Sequence, residues 1–441
     1  MYHSHSSSFL INNIFTEYDE LLTKNINTDP LGFQIVWTYF GQKIFHNKTT
    51  SIALDIRSYT INLFNHYIIY QIIQENKNLS FKSLITNEIS LKEKIEKTLI
   101  ILENLLTWSW FSTRDDWTEE YKSGLLGTYK ALSIWEDEQT YLINFNERDF
   151  NKIEILKNQR SLGVSGRYKG PFRAMGFFKE YDESSYKGSS ELFENEIKEL
   201  IESQNSPLKN LYKEVISFLQ KAQELKVIEI GKNNTLVNKY VESFKNPKDI
   251  SLHTKHFWKK YLGLNQDEAS IVYKHIDLDK IEQNTKQIFT KALEESFDNK
   301  IFQDINQIEP QLTYINLLFD YLIVKSGNKI SELNNDYILQ LENFEWNNLS
   351  INANTSVYLR VEELKKIKDY KTLLEYHKIV MNKRSQMPWI ELKNDEILKT
   401  NIAKNIASNK SEELLSKGLN NDWLNDYYIY SIRNIKRGLE I

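Results

Sequence analysis

"RSLGVSGRYKGPFRAMGFF", Arg160–Phe178, is the stretch on which the reading of this chain turns. It holds three of the ten arginines and four of the 14 glycines in 441 residues, whereas basic charge elsewhere is nearly all lysine. Apolar Ile153, Ile155 and Leu156 precede it. Leu162-Gly163-Val164-Ser165 then has the order of a turn between two helices. Glycine takes a left-handed conformation that other residues adopt only with strain, an apolar residue plugs the core, and serine caps the second helix. This order predicts a positive φ at Gly163 and a capping role for Ser165. Gly170-Pro171 interrupts the second helix, because proline lacks a donor and clashes with the preceding turn. The second helix is therefore expected to start or kink at Pro171, with Ser165–Gly170 as a loop and Met175-Gly176 at its end.

These residues resemble a helix-turn-helix. Two β-rich stretches upstream, Gly127–Asp137 and Thr140–Phe145, flank an acidic turn and are expected to form a hairpin, the wing of a winged helix. The resemblance implies that Arg160, Ser165, Arg167, Lys169 and Arg173 contact nucleic acid, DNA in the first instance. Arginine suits phosphate and guanine because its planar fork binds two acceptors at once. Packing against a partner protein is the competing use of the same face. More broadly, "DPLGFQIVWTYFGQKIF" (Asp29–Phe45), the Thr49-Thr50 pair and "DIRSYT" (Asp55–Thr60), with "NQRSLGVSGRY" downstream, resemble the layout of large uncharacterised bacterial proteins found in antiphage-defence islands. That resemblance implies a subunit of a complex, with partners such as an ATPase or helicase.

Composition narrows the classes. The formal net charge is −4, so nucleic acid cannot be bound over the whole surface and any contact must be a local patch. There are no cysteines, which excludes disulfides, thiolate metal sites and cysteine nucleophiles and fits a cytoplasmic chain. No apolar run approaches the roughly 20 residues that span a bilayer. The longest candidate, Ile61–Ile73, carries Asn65 and His66. Met1–Leu10 lacks a basic stretch followed by an apolar one, so no secretory signal is expected.

Only six prolines interrupt the chain, and helical spacing of apolar residues recurs along it. Ser90–Trp108 opens on a capping box, with Glu93 three residues after Ser90. Ser189–Ser203, Ser206–Leu225 (Ser206 as cap, Pro207 at the first position), Asn265–Ile276 and Ser356–Lys383 are further helices. Pro388–Leu392 is a short strand. The expected fold is mainly α and multidomain, with a small α+β winged-helix-like module. Its parts are an N-terminal helical region at 1–84, the module at 85–182, a helical middle domain at 183–326 and a C-terminal helical domain at 327–441. Linkers are placed at Glu180–Glu191, Phe244–Ser251 and Ser326–Ser331.

Other residues with chemistry are sparse. Asp55 and Arg57 are read as a buried pair that sets local structure. His253 and His256 stand at ligand spacing, but no carboxylate completes a site, so no metal is expected. No glycine-rich phosphate loop or serine elbow is present, and no cofactor is expected. Glu391-Leu392-Lys393 resembles the Glu-x-Lys half of a PD-(D/E)xK nuclease, with Asp369 as the second acid and metal-assisted cleavage as the implied chemistry. Arg433, Lys436 and Arg437 would share one side of a C-terminal helix. The leading expectation is a non-catalytic nucleic-acid-binding or scaffolding subunit. The alternatives are that nuclease, with Asp369, Glu391 and Lys393 as its catalytic residues, and a pure protein-interaction subunit.

Overall fold

A computed structural model describes residues 29–53, 55–116, 125–178, 186–280, 283–344, 346, 349–400, 410–416 and 423–440. The described residues are mainly helical, 64% helix against 5% strand. In chain order the main helices are α1 (Gln34–Ile44), α2 (Ile56–Ile73), α3 (Leu91–Ser112), α4 (Val164–Ala174), α5 (Lys209–Leu225), α6 (Thr235–Phe244), α7 (Pro247–Tyr261), α8 (Lys300–Val324), α9 (Tyr370–Lys383) and α10 (Ile429–Glu440). The strands are β1 (Thr140–Asn144), β2 (Val227–Gly231), β3 (Ile390–Lys393) and β4 (Glu396–Lys399). The described residues fall into two compact units, one within 45–266 and 430–441, the other within 1–44 and 267–429. Glu180 to Ser185 of the expected linker, and the Met1–Leu10 stretch, lie outside the described residues.

The first unit is built around α2, which is buried from Ile56 to Ile72. A helix apolar on all sides can only be an interior helix. It nevertheless takes Arg57, Asn62, Asn65 and His66 into the core. Arg57 is 1% exposed, and its guanidinium reaches Asp55 at 2.6 Å and the Phe244 carbonyl at 3.1 Å. Asp55 also caps α2 by accepting the Arg57 N–H. The expected pair is thus present and fixes where α2 begins. α3 starts on the expected capping box, Ser90 with Glu93, and lies against α2 and α6.

The expected wing is absent. Thr128–Ile134 is a helix, entered through Gly127 at φ +81°, and it buries Ala131. β1 pairs antiparallel with β2, Thr140 opposite Gly231, and not with a neighbouring strand. The reason lies in what covers the apolar face of β1. Tyr141 meets Trp108 and Trp135 at 5.9 and 5.1 Å, and buried Ile143 stands opposite buried Ile228. α5 begins at Lys209, two residues beyond the expected Pro207, because Ser206 closes a turn there by accepting the Leu208 N–H.

In the second unit, Asp29 accepts the N–H groups of Phe33 and Gln34 and so starts α1. Gly32 turns the chain at φ +68°. The turn is clamped from α9 and its end. Tyr376 donates to the Leu31 carbonyl at 2.6 Å, and Arg384 donates to the Asp29 carbonyl at 2.7 Å. Buried His377 donates through Nδ1 to Pro30 at 2.9 Å and accepts the Trp389 N–H on Nε2 at 2.8 Å. The expected 356–383 helical stretch is two helices, Ser356–Leu364 and α9. The expected strand is β3, which forms a tight hairpin with β4.

Candidate nucleic-acid interface

Two helices do meet at Gly163: a single turn, Gln159–Leu162, and α4. Gly163 sits at φ −71°, ψ 178°, which is extended backbone and not the left-handed turn expected. Glycine is required there for space. A Cβ would stand 2.6 Å from the Gln159 carbonyl oxygen and 2.7 Å from Glu103 Oε2.

Ser165 is not the cap either. The first N–H of α4, that of Val164, is taken by Glu103 Oε1 at 3.1 Å, a carboxylate supplied by α3. Ser165 lies inside α4, with its hydroxyl 3.4 Å from His66 Nε2. The other nitrogen of His66 meets the Tyr186 hydroxyl. Burial lowers the pKa of His66 to about 3, so its imidazole is neutral.

The expected Ser165–Gly170 loop is helical, and Pro171 lies inside α4. The clash of a proline ring with the Cβ of its predecessor does not arise when that predecessor is Gly170. Two costs remain: a donor withheld from the Arg167 carbonyl and the crowding of that carbonyl by the ring. Val164, Tyr168 and Phe172, at i, i+4 and i+8, form the buried face of α4. Tyr168 and Phe172 meet Tyr59 of α2 at 4.3 and 6.4 Å. This packing fixes which side of α4 faces out.

The four basic residues expected on one exposed face divide. Arg167 turns inward, donating from Nε to the Leu162 carbonyl at 2.6 Å and lying within electrostatic reach of Glu103. Arg160 is exposed, but it ion-pairs with Glu154 at 3.8 Å and Glu96 at 3.9 Å over the Phe150 ring. Arg173 is exposed and Lys169 half-buried. Lys169 has its pKa lowered, first by burial and then by the positive charge of Lys92, with Arg173 adding and Glu96 opposing. Lys92 and Arg173 thus lie within electrostatic reach of Lys169, as does the carboxylate of Glu96. Lys92 is exposed in the first turn of α3 and was missed in the sequence, because nothing local ties it to a helix 70 residues on.

Glu103 is the other residue that sequence patterning missed. Burial pushes its pKa up to about 7, against the opposing pull of the Val164 N–H, Gln159 and Arg167.

The remaining candidates are carried by other elements. Asp369 caps α9, accepting the Thr372 N–H at 2.7 Å. Glu391 and Lys393 are exposed on the β3–β4 hairpin. Among the described residues no group of three or more His, Asp or Glu is placed to hold a metal ion. His253 donates from Nε2 to the Leu200 carbonyl at 2.8 Å, while His256 is exposed. Arg433, Lys436 and Arg437 lie on α10, which is tied to α7 through Glu440 and Lys255 at 2.6 Å. No described helix is long and apolar enough to cross a membrane.

Comparison with known proteins adds no relative. No family model, no curated protein and no solved structure matches this chain. Its chemistry must be read from these residues alone.

Proposed function

We propose that this chain is a non-catalytic nucleic-acid-binding subunit of a bacterial complex, of the kind associated with antiphage defence, and that it touches the phosphate backbone of DNA through α4 and the start of α3. The observation that carries this is that Lys92 and Arg173 lie within electrostatic reach of Lys169, with Glu96 the one opposing charge that acts on it, on a chain whose net charge is −4. Like charges held together raise one another's energy. A phosphate relieves that repulsion and releases counterions, which is the main source of non-specific affinity. Arg160 and Arg167 serve the fold beneath: one holds acidic neighbours, the other the turn before α4. Such a contact carries no sequence information, so sequence choice and any nucleotide-driven step fall to partner proteins, such as a helicase or ATPase.

The test is binding of a fluorescent DNA duplex at low salt. Measurable binding that weakens in Lys169→Ala and Arg173→Ala, with unchanged melting temperature, supports the reading. If those variants bind like the wild type, or the wild type binds nothing at low salt, the α4 face is not a phosphate contact.

A further inference from the structure

We propose that Glu103 is a positioning residue for the basic helix, and that its proton sets how firmly α4 is docked on α3. Its consequence for ligand binding rests on the reading above; its physical cause does not. Glu103 is 6% exposed, and both of its oxygens face the start of α4. Oε1 accepts the Val164 N–H at 3.1 Å. Oε2 lies so close to Gly163 that a single added carbon would stand 2.7 Å away. Gln159, beside it, is held by Asn104 at 2.9 Å and by the Ile155 N–H at 2.9 Å. The carboxyl group is therefore the floor on which the junction of the two helices rests.

Among the described residues the charged neighbours are few. Arg167 of α4 is the cation that acts on Glu103, and it is also bonded to the Leu162 carbonyl. From α2, Arg57 is paired with Asp55, and His66 is neutral. From α6, Tyr240 has its ionisation pushed up by burial and carries no charge. Lys130 of the Thr128–Ile134 helix is exposed, and Arg160 is engaged by Glu96 and Glu154. Among the described residues, one cation and two polar contacts, with little exposure to water, leave an ionised Glu103 poorly compensated.

The sign follows from linkage. A carboxyl group released into water has an ordinary value of 4.5, whereas docked Glu103 is pushed up to about 7. The docked state binds the proton more tightly. Docking is strongest below pH 4.5 and weakens as pH rises through 7, by at most about 300-fold. Lys169 and Arg173 lie within three turns of Val164 on the same helix. When the start of α4 loosens, the spacing of those two charges relative to Lys92 loosens with it.

Native-state hydrogen exchange on the whole chain, corrected for intrinsic rates, reads this directly. Between pH 5.5 and 8 the protection of the Tyr168 and Lys169 amides should fall about tenfold or more in the wild type. It should stay level in Glu103→Gln, which keeps an acceptor for Val164 but cannot ionise. Arg167→Met, which removes the neighbouring cation, should move the midpoint to higher pH and covers the case in which Glu103→Gln does not fold. Level protection in the wild type, an equal loss in Glu103→Gln, or an unmoved midpoint in Arg167→Met overturns the proposal. A second arm measures duplex affinity at fixed salt over the same pH range. Affinity that falls in the wild type and not in Glu103→Gln extends the role to binding. If protection behaves as expected and no duplex binds at any pH, the role of Glu103 stands and the nucleic-acid reading fails.

Discussion

Gly163 shows how one residue can satisfy a motif for a different reason. A left-handed turn would select glycine first and asparagine second. An extended junction crowded by the Gln159 carbonyl and Glu103 selects the smallest side chain whatever its φ. Gly163→Ala should therefore destabilise the protein by about 1–3 kcal/mol through overpacking, and Gly163→Asn should be worse, not better. Urea unfolding midpoints of the two variants decide the point, and an asparagine variant more stable than the alanine one would restore the left-handed turn. Asp55 offers a second residue-scale test. Asp55→Ala removes a helix cap and leaves the Arg57 charge buried without its carboxylate. The loss should be about 3–5 kcal/mol. Asp55→Asn keeps an oxygen for the cap and should lose less by chemical denaturation. Equal losses in the two variants would show that the charge of Asp55 does not matter.

At the scale of elements, histidines inside helices set the acid limit of stability. Burial lowers His377 of α9 to about 4, and His66 of α2 to about 3. Each folded value lies below the ordinary 6.5, so the neutral form is favoured by folding. That contribution is present above 6.5 and is lost as pH falls toward 4. His377 also accepts the Trp389 N–H on Nε2, a contact that protonation would break. Melting temperature should fall steadily from pH 6.5 to 4.5 in the wild type and less steeply in His377→Leu, whose lower starting stability is the baseline. An unchanged slope would remove His377 from the account. Glu103 acts with the opposite sign, losing its contribution as pH rises. What could be read in advance tracks how local each signal is. The Ser90–Glu93 box, Asp55 beside Arg57 and the 3.6-residue spacing in α3 and α5 are settled within a turn or two; α3 starts where its box puts it, and α5 starts two residues beyond Pro207. The partner of β1, the capping of α4 by Glu103 and the placing of Lys92 beside Lys169 depend on residues brought together only by packing. The continuation of α4 through Pro171 has no local signal either: proline withholds a donor and crowds the preceding turn, and it is the packing of Tyr168 and Phe172 on Tyr59 of α2 that accompanies the helix through it.

At the scale of the whole molecule, charge is the deciding quantity. A chain of net charge −4 is repelled by DNA except where its basic side chains gather, so any affinity must be local and sensitive to salt. The central claim is that Lys92, Lys169 and Arg173 are that locality and that Arg160 and Arg167 are not. Three phosphate contacts imply a slope of log affinity against log salt near −2.7, since each contributes about −0.9 on B-DNA. The most direct test is a salt titration of duplex binding by the wild type and five single alanine variants. The account predicts a slope shallower by about 1 in Lys92→Ala, Lys169→Ala and Arg173→Ala. It predicts an unchanged slope in Arg160→Ala and Arg167→Ala, with reduced stability in the latter. A wild-type slope near zero, or a slope that responds to Arg160 and Arg167 and not to the other three, would contradict it.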